Sequence, residues 1–501
     1  MTINRRDFVG GLAAAFAFGC PGWQAARAAG LAQGARRLRF GVLSDVHIYS
    51  VADVPYFTRA LEYFRGSGVD AVVICGDIAD KGRVDQLQLA ADAWNAVFPG
   101  NRLPDGSPVE KLFVAGNHDW NCGNNTYVKD RPELLRYDFR NNWKKIWGED
   151  SYSKIWQKTV KGYTFIGNHW DCTDLAAEVR AGQRQNTVYD DLPAYLSAHA
   201  AELAGTKPFF YIQHVQQFDT CFGSRAWDPD TGVTTAALAK FPNAVTFSGH
   251  SHFTLTDDRS IWQGAFTAVN AGSLRYTGLD DADHLPGEFE YENGYTGSDK
   301  TMAQYARWDG KQGMLVTVYD DAIVYHRREF YGEESRALGE DWVQPLPFAQ
   351  GSAPYAYAVR AAALSAPEFP AGAKLVGEGV TAKTRGNASV PATTFSFRAA
   401  NAGALRPHHY EVKFTGADAS SPVVRRVLAQ GFNMPLSDAR ASGGSFATLA
   451  GSIVPAGDMV RVEVTPVSAY GTRGRPIAAT VDGDALRSGT AKFGGLSVVG
   501  I

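Results

Sequence analysis

The decisive stretch begins "LRFGVLSDVH", Leu38 to His47, continues through "VPYFTRALEYFRGSG", Val54 to Gly68, and closes on "AVVICGD", Ala71 to Asp77. The outer two runs are short and apolar and stop at turn residues, as buried strands do. The middle run carries apolar residues at helical spacing and ends in glycine. Working outward, "KLFVAGN", "YTFIGN", "PFFYIQH" and "AVTFSGH" repeat the strand pattern. "VDQLQLAADAWNAVF" and "RPELLRYDFRNNWKKIW" repeat the helical one, and "GMLVTVYDDAIVYHRREF" reads as a hairpin around Asp320 and Asp321. Strand–helix alternation of this kind predicts an α/β layered domain over about residues 36–330.

The character changes after that. Residues 331–372, rich in Pro, Ala and Gly, read as a linker or a wrapping segment. Over 373–485 the helical pattern disappears, and "TTFSFRAAN", "HYEVKFTG", "GSFATLAGSIV" and "MVRVEVTPVSAYGTRGRPIAATV" alternate with turns, as in a small all-β sandwich. The closing strands resemble those of a fibronectin type III domain by pattern.

The 501 residues suffice for two or three domains, and a formal net charge of −3 gives no nucleic-acid-binding signature. No apolar stretch reaches the ~20 residues a membrane helix needs, so no transmembrane helix is expected in the mature chain. Residues 1–28 carry Arg5 and Arg6, then Phe8, an apolar Gly/Ala-rich run and Ala26-Arg27-Ala28. This resembles a bacterial twin-arginine signal peptide with a small-x-small cleavage site. It implies the twin-arginine export machinery as a partner and a periplasmic or secreted protein. Four cysteines would remain: Cys75, Cys122, Cys172 and Cys221. Cys75, inside a strand-like run, reads as a small buried hydrophobe, and the pairing of the others is open.

Polar residues of one chemical kind stand at the strand ends. The first run leads into Asp45 and His47, the second into Asp77, and the third into Asn117, His118 and Asp119. "PFFYIQH" ends in His214, and "AVTFSGHSH" delivers His250 and His252. Open α/β sheets bind ligands at the carboxyl ends of their strands, so residues scattered along the chain can meet at one edge. Imidazoles with carboxylate and amide oxygens, without thiolates, suit Fe, Mn or Zn. Asp45, His47, Asp77, Asn117, His214, His250 and His252 are too many for one four-coordinate ion but suit two ions sharing a carboxylate. Taken singly, a D-x-H or a lone histidine is a common structural feature; the ordered set is not. In an extended segment His250 and His252 would lie on one face, about 6.6 Å apart, each able to reach a different ion.

The series D-x-H, G-D, G-N-H-D, H, G-H-x-H resembles the calcineurin-like metallophosphoesterases over about residues 38–330. The resemblance implies a four-layer α-β-β-α sandwich followed here by the small all-β sandwich domain. It implies one divalent or trivalent ion on Asp45, His47, Asp77 and His252. A second would lie on Asp77, Asn117, His214 and His250, with Asp77 bridging. It further implies hydrolysis of small phosphomonoesters or phosphodiesters by a metal-held hydroxide, with His118 as proton donor to the leaving oxygen. Asp119 could orient His118 or only hold the turn. His169, after its own strand, is the rival of His214. Purple acid phosphatases, a subfamily, place a tyrosine where this chain has Asp80, so their iron site is not expected; Asp80 itself reads as a residue holding the turn at Lys81-Gly82, with contact to the site as the lesser alternative.

Substrate choice lives in loops. Tyr49, Trp120, Asn168 and His169 are candidate substrate contacts, with Trp170 beside them, although aromatics there also serve to pack loops. The acidic stretch Leu279 to Asp299 could be a lid or a solvated insertion. Two further readings stand: a cyclic-nucleotide-type phosphodiesterase, and a non-catalytic binding or scaffold protein on the same fold.

Overall fold

The structure, a computed structural model, describes residues 34–120, 139–148, 152–171, 187–225, 229–277, 289–290, 296–297, 310–348, 353–383, 388–403, 405–429, 431–452 and 454–494. The signal segment, Cys122, Cys172 and most of 279–299 lie outside them. The chain divides into two compact units. One holds the described residues within Gly22–His284 and Asp309–Tyr357, the other those within Leu285–Trp308 and Ala358–Ile501.

The first unit opens on β1 (Arg36–Leu43), α1 (Val54–Gly66), β2 (Ala71–Cys75), α2 (Val84–Val97), β3 (Glu110–Val114) and α3 (Phe139–Trp147). There follow β4 (Ile155–Val160), β5 (Tyr163–Asn168), α4 (Leu192–Ala198), β6 (Phe209–Ile212), α5 (Val233–Leu238), β7 (Ala244–Ser248), β8 (Ile261–Gln263) and β9 (Thr267–Asn270). Two short strands that pair within the second unit, β10 (Phe289–Glu290) and β11 (Thr296–Gly297), intervene. Then come β12 (Gln312–Tyr319), β13 (Ala322–Glu329), β14 (Arg336–Ala337) and β15 (Trp342–Pro345).

These strands form two sheets, ordered β14-β13-β12-β1-β2-β3 with β15 on β13, and β4-β5-β6-β7-β9-β8. β1, β2 and β3 run parallel, with Leu43 opposite Ile74 and Cys75 opposite Val114. In the second sheet β6 and β7 are parallel, with Ile212 opposite Phe247. Runs such as "AVVIC" and "FFYI" are buried at every position, because each sheet is covered on both faces.

Three apolar cores account for the layering. Between the sheets, Phe40 meets Phe165, Phe210 and Phe247 at ring-centroid distances of 5.3, 5.0 and 5.7 Å. The outer face of the first sheet packs on α1, α2 and α3 through residues including Phe57, Leu61, Leu87, Trp94 and Trp143. The second sheet packs on α4 and α5 through Ile166, Tyr211, Leu192, Leu196 and Leu238. The result is a four-layer α-β-β-α sandwich, the mixed α/β fold expected.

The 331–372 segment contributes β14 and β15 to the first sheet, and the Trp342 ring is fully buried in the inter-sheet core. The hairpin turns at Asp320 and Asp321 as anticipated. β4, β8 and β9 were not anticipated: β4 is a partly exposed edge strand, β8 spans three residues, and β9 (Thr-Ala-Val-Asn) lacks the apolar run of the equally short β6. Cys75 is a buried free thiol, as is Cys221.

The second unit is built on β16 (Val376–Lys383), β17 (Ser389–Arg398), β18 (Pro407–Thr415), β19 (Val423–Leu428), β20 (Gly443–Leu449), β21 (Met459–Ser468) and β22 (Ile477–Asp482). Its sheets are β16-β17-β20 and β11-β10-β19-β18-β21-β22, antiparallel apart from the single β10–β19 pairing. Phe395 and Phe397 of the one sheet meet Phe414 and Tyr410 of the other at 6.3 and 4.8 Å. Helices are not wholly absent: Leu436–Ala441 and Gly483–Ser488 form short ones. The latter is capped by Asp482 and closed by Gly489 at φ 71°. Among the described residues, no helix is long and apolar enough to cross a membrane.

Candidate metal centre

Because β1, β2 and β3 are parallel and in register, the loops after them leave one edge together. The ladder continues beyond the strands: Asp45 N–H donates to the Gly76 carbonyl at 3.0 Å and His47 N–H to that of Asp77 at 2.9 Å. Across the sandwich, Gly249 N–H donates to the His214 carbonyl at 2.8 Å, tying the loops after β6 and β7.

All seven candidate ligands meet there. His47 Nε2 lies 3.3 Å from His252 Nε2 and 3.5 Å from Asp77 Oδ2. His252 Nε2 is 3.0 Å from Asp45 Oδ1. On the other side His214 Nε2 lies 3.1 Å from Asp77 Oδ2, 3.0 Å from Asn117 Oδ1 and 3.3 Å from His250 Nδ1. Asp77 Oδ2 thus faces both groups. His250 presents Nδ1, whereas His47, His214 and His252 present Nε2.

The opposite ring nitrogens are held by acceptors. His47 Nδ1 donates to Asp80 Oδ1 at 3.1 Å, His214 Nδ1 to the Cys75 carbonyl at 2.7 Å, and His252 Nδ1 to the Tyr276 carbonyl at 3.2 Å. Those bonds select the tautomer whose Nε2 is a lone pair. Lone pairs then converge on one another and on carboxylate oxygens, and Asp45 Oδ1 is buried without a hydrogen-bond partner. Only positive charge reconciles such a set, and a metal ion fits it. Protons play that part when they can. Burial alone would lower His47 and His214, yet the surrounding carboxylates outweigh it and raise them to about 10 and about 9. Burial likewise opposes the charged form of Asp77, but His214 and His118 hold its carboxyl well below the usual range. Triads Asp45–His47–His252 and Asp45–Asp77–His214 each offer donor atoms within 4.8 Å of one another.

Backbone conformation contributes as well. Asp45, His47, Asp77, His250 and His252 all have φ between 47° and 68°. Non-glycine residues enter that region at a cost of order 1 kcal/mol or more, and sustain it where the surroundings impose it. This corrects the extended reading of "GHSH": β7 ends at Ser248, and the two histidines sit on left-handed turns rather than on a strand face. They still separate, His250 toward His214 and His252 toward His47 and Asp45. Gly249 lets the turn approach, since a Cβ there would lie 1.8 Å from Ser44 Oγ and 2.3 Å from Asp45 Oδ2. Gly76, at φ 96°, leaves room for the His214 ring, whose Nδ1 would be 2.5 Å from a Cβ.

His118 is half-buried beside this cluster, its ring 4.5 Å from that of His47. Its Nδ1 donates to the Asp80 carbonyl at 2.8 Å, and its N–H to Asp77 Oδ1 at 2.8 Å. Burial lowers its pKa, opposed by the charge of Asp77. Of the two readings of Asp119, the turn is the one seen: its carboxylate accepts the N–H groups of Gly116, Ile78 and Ala79 at 2.9, 3.2 and 2.7 Å. Burial and the Asp77 charge push Asp119 up to about 7. The residue that reaches the site is Asp80, whose carboxylate holds His47 and whose carbonyl holds His118. A carboxylate three residues after G-D was a signal of this; the carbonyls of Cys75 and Tyr276 leave none in sequence.

The four substrate candidates go elsewhere for the most part. Trp120 is buried in the outer core of the first sheet. Asn168 is buried, its Nδ2 donating to Asp191 at 3.2 Å. His169 is buried and accepts the Ala115 N–H at 2.9 Å, not a ligand position. Tyr49 is 53% exposed. Trp170, the neighbour of His169, is the one that stacks near a candidate ligand, His250.

Residues 38–253 match the family described as calcineurin-like phosphoesterase, so the chain carries a domain of that type over less than half its length. Among solved structures it is similar to a dimetal phosphatase from Danio rerio at 14% identity, covering 63% of this chain and 100% of that one, TM-score 0.38. It is similar to GAP50, the anchor in the inner membrane complex of Plasmodium, at 12%, covering 61% and 90%, TM-score 0.37. A zinc complex of Vps29 from Entamoeba histolytica is similar at 10%, covering 62% and 100%, TM-score 0.28. No curated protein matches the chain.

Proposed function

We propose that the chain is a metal-dependent phosphoesterase that hydrolyses small phosphomonoesters or phosphodiesters at this centre. The observation that carries the reading is the arrangement of seven donors in two groups that share Asp77 Oδ2, with His118 beside the shared carboxylate. Asp45, His47, Asp77 and His252 would hold one ion, and Asp77, Asn117, His214 and His250 a second. Such ions supply Lewis acidity: they acidify water toward neutral pH and offset charge on phosphoryl oxygens.

The remaining work falls to the protein. Asp80, the Cys75 carbonyl and the Tyr276 carbonyl keep the ligand imidazoles in the tautomer that offers Nε2. The Asp80 carbonyl, accepting from His118 Nδ1, leaves His118 Nε2 as the atom that can give a proton to a leaving oxygen. Because burial lowers the His118 pKa, the negative charge of a bound phosphoester would favour its protonated form.

The test combines metal analysis with turnover of p-nitrophenyl phosphate and bis-p-nitrophenyl phosphate. His118→Asn should retain metal while losing about 10²–10⁴ in kcat. Bound metal without turnover of any phosphoester would replace the enzyme reading with that of a binding protein, and full activity in His118→Asn would remove His118 from the proton transfer. Export by the twin-arginine route, suggested by residues 1–28, belongs to the same proposal. Replacing Arg5 and Arg6 by lysine should strand the protein in the cytoplasm on fractionation, and unchanged export would remove that element.

A further inference from the structure

Two aromatic rings lie against the His250–His252 pair, one on each histidine. Tyr276 lies on His252, centroids 4.2 Å apart at 31°, and its carbonyl also takes the His252 Nδ1 proton. Trp170 lies nearly parallel to His250, centroids 6.5 Å apart at 28°, and makes a T-shaped contact with Tyr189 at 6.2 Å and 80°. The two rings serve ligands of different exposure. Asp45, His47, Asp77, His214 and His252 are 0–4% exposed and form the closed floor of the centre. Asn117, His118 and His250 are half-buried, so a substrate reaches the centre from their side.

Trp170 therefore stands on the open rim. It is half-buried, unlike Trp94 and Trp143, which fill the core at 0% and 1% exposure. Its backbone is pinned, N–H to the Ala115 carbonyl at 3.0 Å, two residues before Asn117. Packed in part against the outer core of the first sheet, the indole beside the entrance offers a flat polarizable surface with little ordering cost on binding. The geometry points to Trp170 as a specificity-determining wall of the centre, favouring phosphoesters that carry a flat aryl or heteroaromatic group next to phosphorus. Tyr276 is half-buried as well, but it lies on His252 of the floor and holds that ring through its carbonyl, so it positions His252 and does not select. The inference rests on the phosphoesterase reading above.

Non-hydrolysable phosphonates separate the two. Calorimetric titration of the full-length, metal-loaded protein should show phenylphosphonate binding about tenfold more tightly than methylphosphonate, as stacking on an aromatic side chain provides. Trp170→Leu should bring that ratio close to one at unchanged metal content, Trp170→Phe should keep most of it, and Tyr276→Leu should leave it intact. A wild-type ratio near one, or a ratio that survives Trp170→Leu, overturns the role of Trp170. Should Trp170→Leu fail to fold, Trp170→Met carries the same test, and a wild-type ratio near one overturns the role by itself. Binding of neither phosphonate overturns the phosphoesterase reading itself, whereas methylphosphonate binding without a phenyl preference overturns only the wall.

Discussion

His169 offers a sharp quantitative test of how the first unit is assembled. It is fully buried, and its Nδ1 accepts the Ala115 N–H at 2.9 Å, so the ring proton resides on Nε2, which has no hydrogen-bond partner among the described residues. Protonating Nδ1 would break that bond and place a charge between the rings of Trp143 and Tyr152, 5.0 and 4.8 Å away. Burial accordingly pushes the imidazole down to about 3, against the opposing pull of Asp171. An unfolded histidine titrates near 6.5. Between these values the unfolded chain takes up a proton that the folded chain refuses, so stability falls as pH drops below about 6.5 and continues to fall toward 3. At about pH 5 the loss relative to pH 8 is ~2 kcal/mol, at ~1.4 kcal/mol per pKa unit. His169→Asn keeps an acceptor in the place of Nδ1 and removes the titration. Urea unfolding of the chelated protein, followed by tryptophan fluorescence at pH 8 and pH 5, should show the variant weaker at pH 8 through lost packing. Its decline on acidification should nonetheless be ~2 kcal/mol smaller than that of the wild type. Parallel declines would refute the account.

Three further outcomes follow from the centre. Asp80→Asn leaves the carbonyl that holds His118 but weakens the carboxylate that orients His47; metal affinity should fall about 10–100-fold in chelator competition, and unchanged affinity would mean that Asp80 only closes its turn. Gly249→Ala forces a Cβ against Ser44 and Asp45; bound metal should drop sharply with a far smaller change in melting temperature, and normal metal content would show that the turn can yield. His250→Ala and His252→Ala should each remove about one equivalent of metal, from different ions; equal loss of both ions in either variant would dissolve the division into two donor groups.

The fold was legible where burial makes sequence monotonous. Runs such as "AVVIC" and "FFYI" are apolar throughout because both faces of their strands are covered, and helices such as Val54–Gly66 show one apolar stripe facing a sheet. The edge strand β4 escaped because a partly exposed strand mixes polar and apolar residues, and β8 because three residues carry no period. The ligand set was legible because metal chemistry restricts residue types, and because parallel strands bring their ends to one edge. The supporting groups were less so. Asp80 read first as a turn residue, and Asp119 stayed open between the partner of His118 and a turn carboxylate; which carboxylate meets which imidazole depends on angles that sequence spacing does not encode.

The sequence by itself determined the element types, the strand-end donors and their chemistry, since these depend on composition and period. Only the tertiary structure decided how "GHSH" divides between two donor groups. The two histidines diverge through left-handed turns at His250 and His252, held by contacts with Ser44, Asp45 and His214 from remote segments. It likewise decided that Trp170, rather than Trp120 or His169, borders the centre. Neighbouring residues on a loop meet opposite environments, and the packing of distant elements determines which faces water and which faces the core.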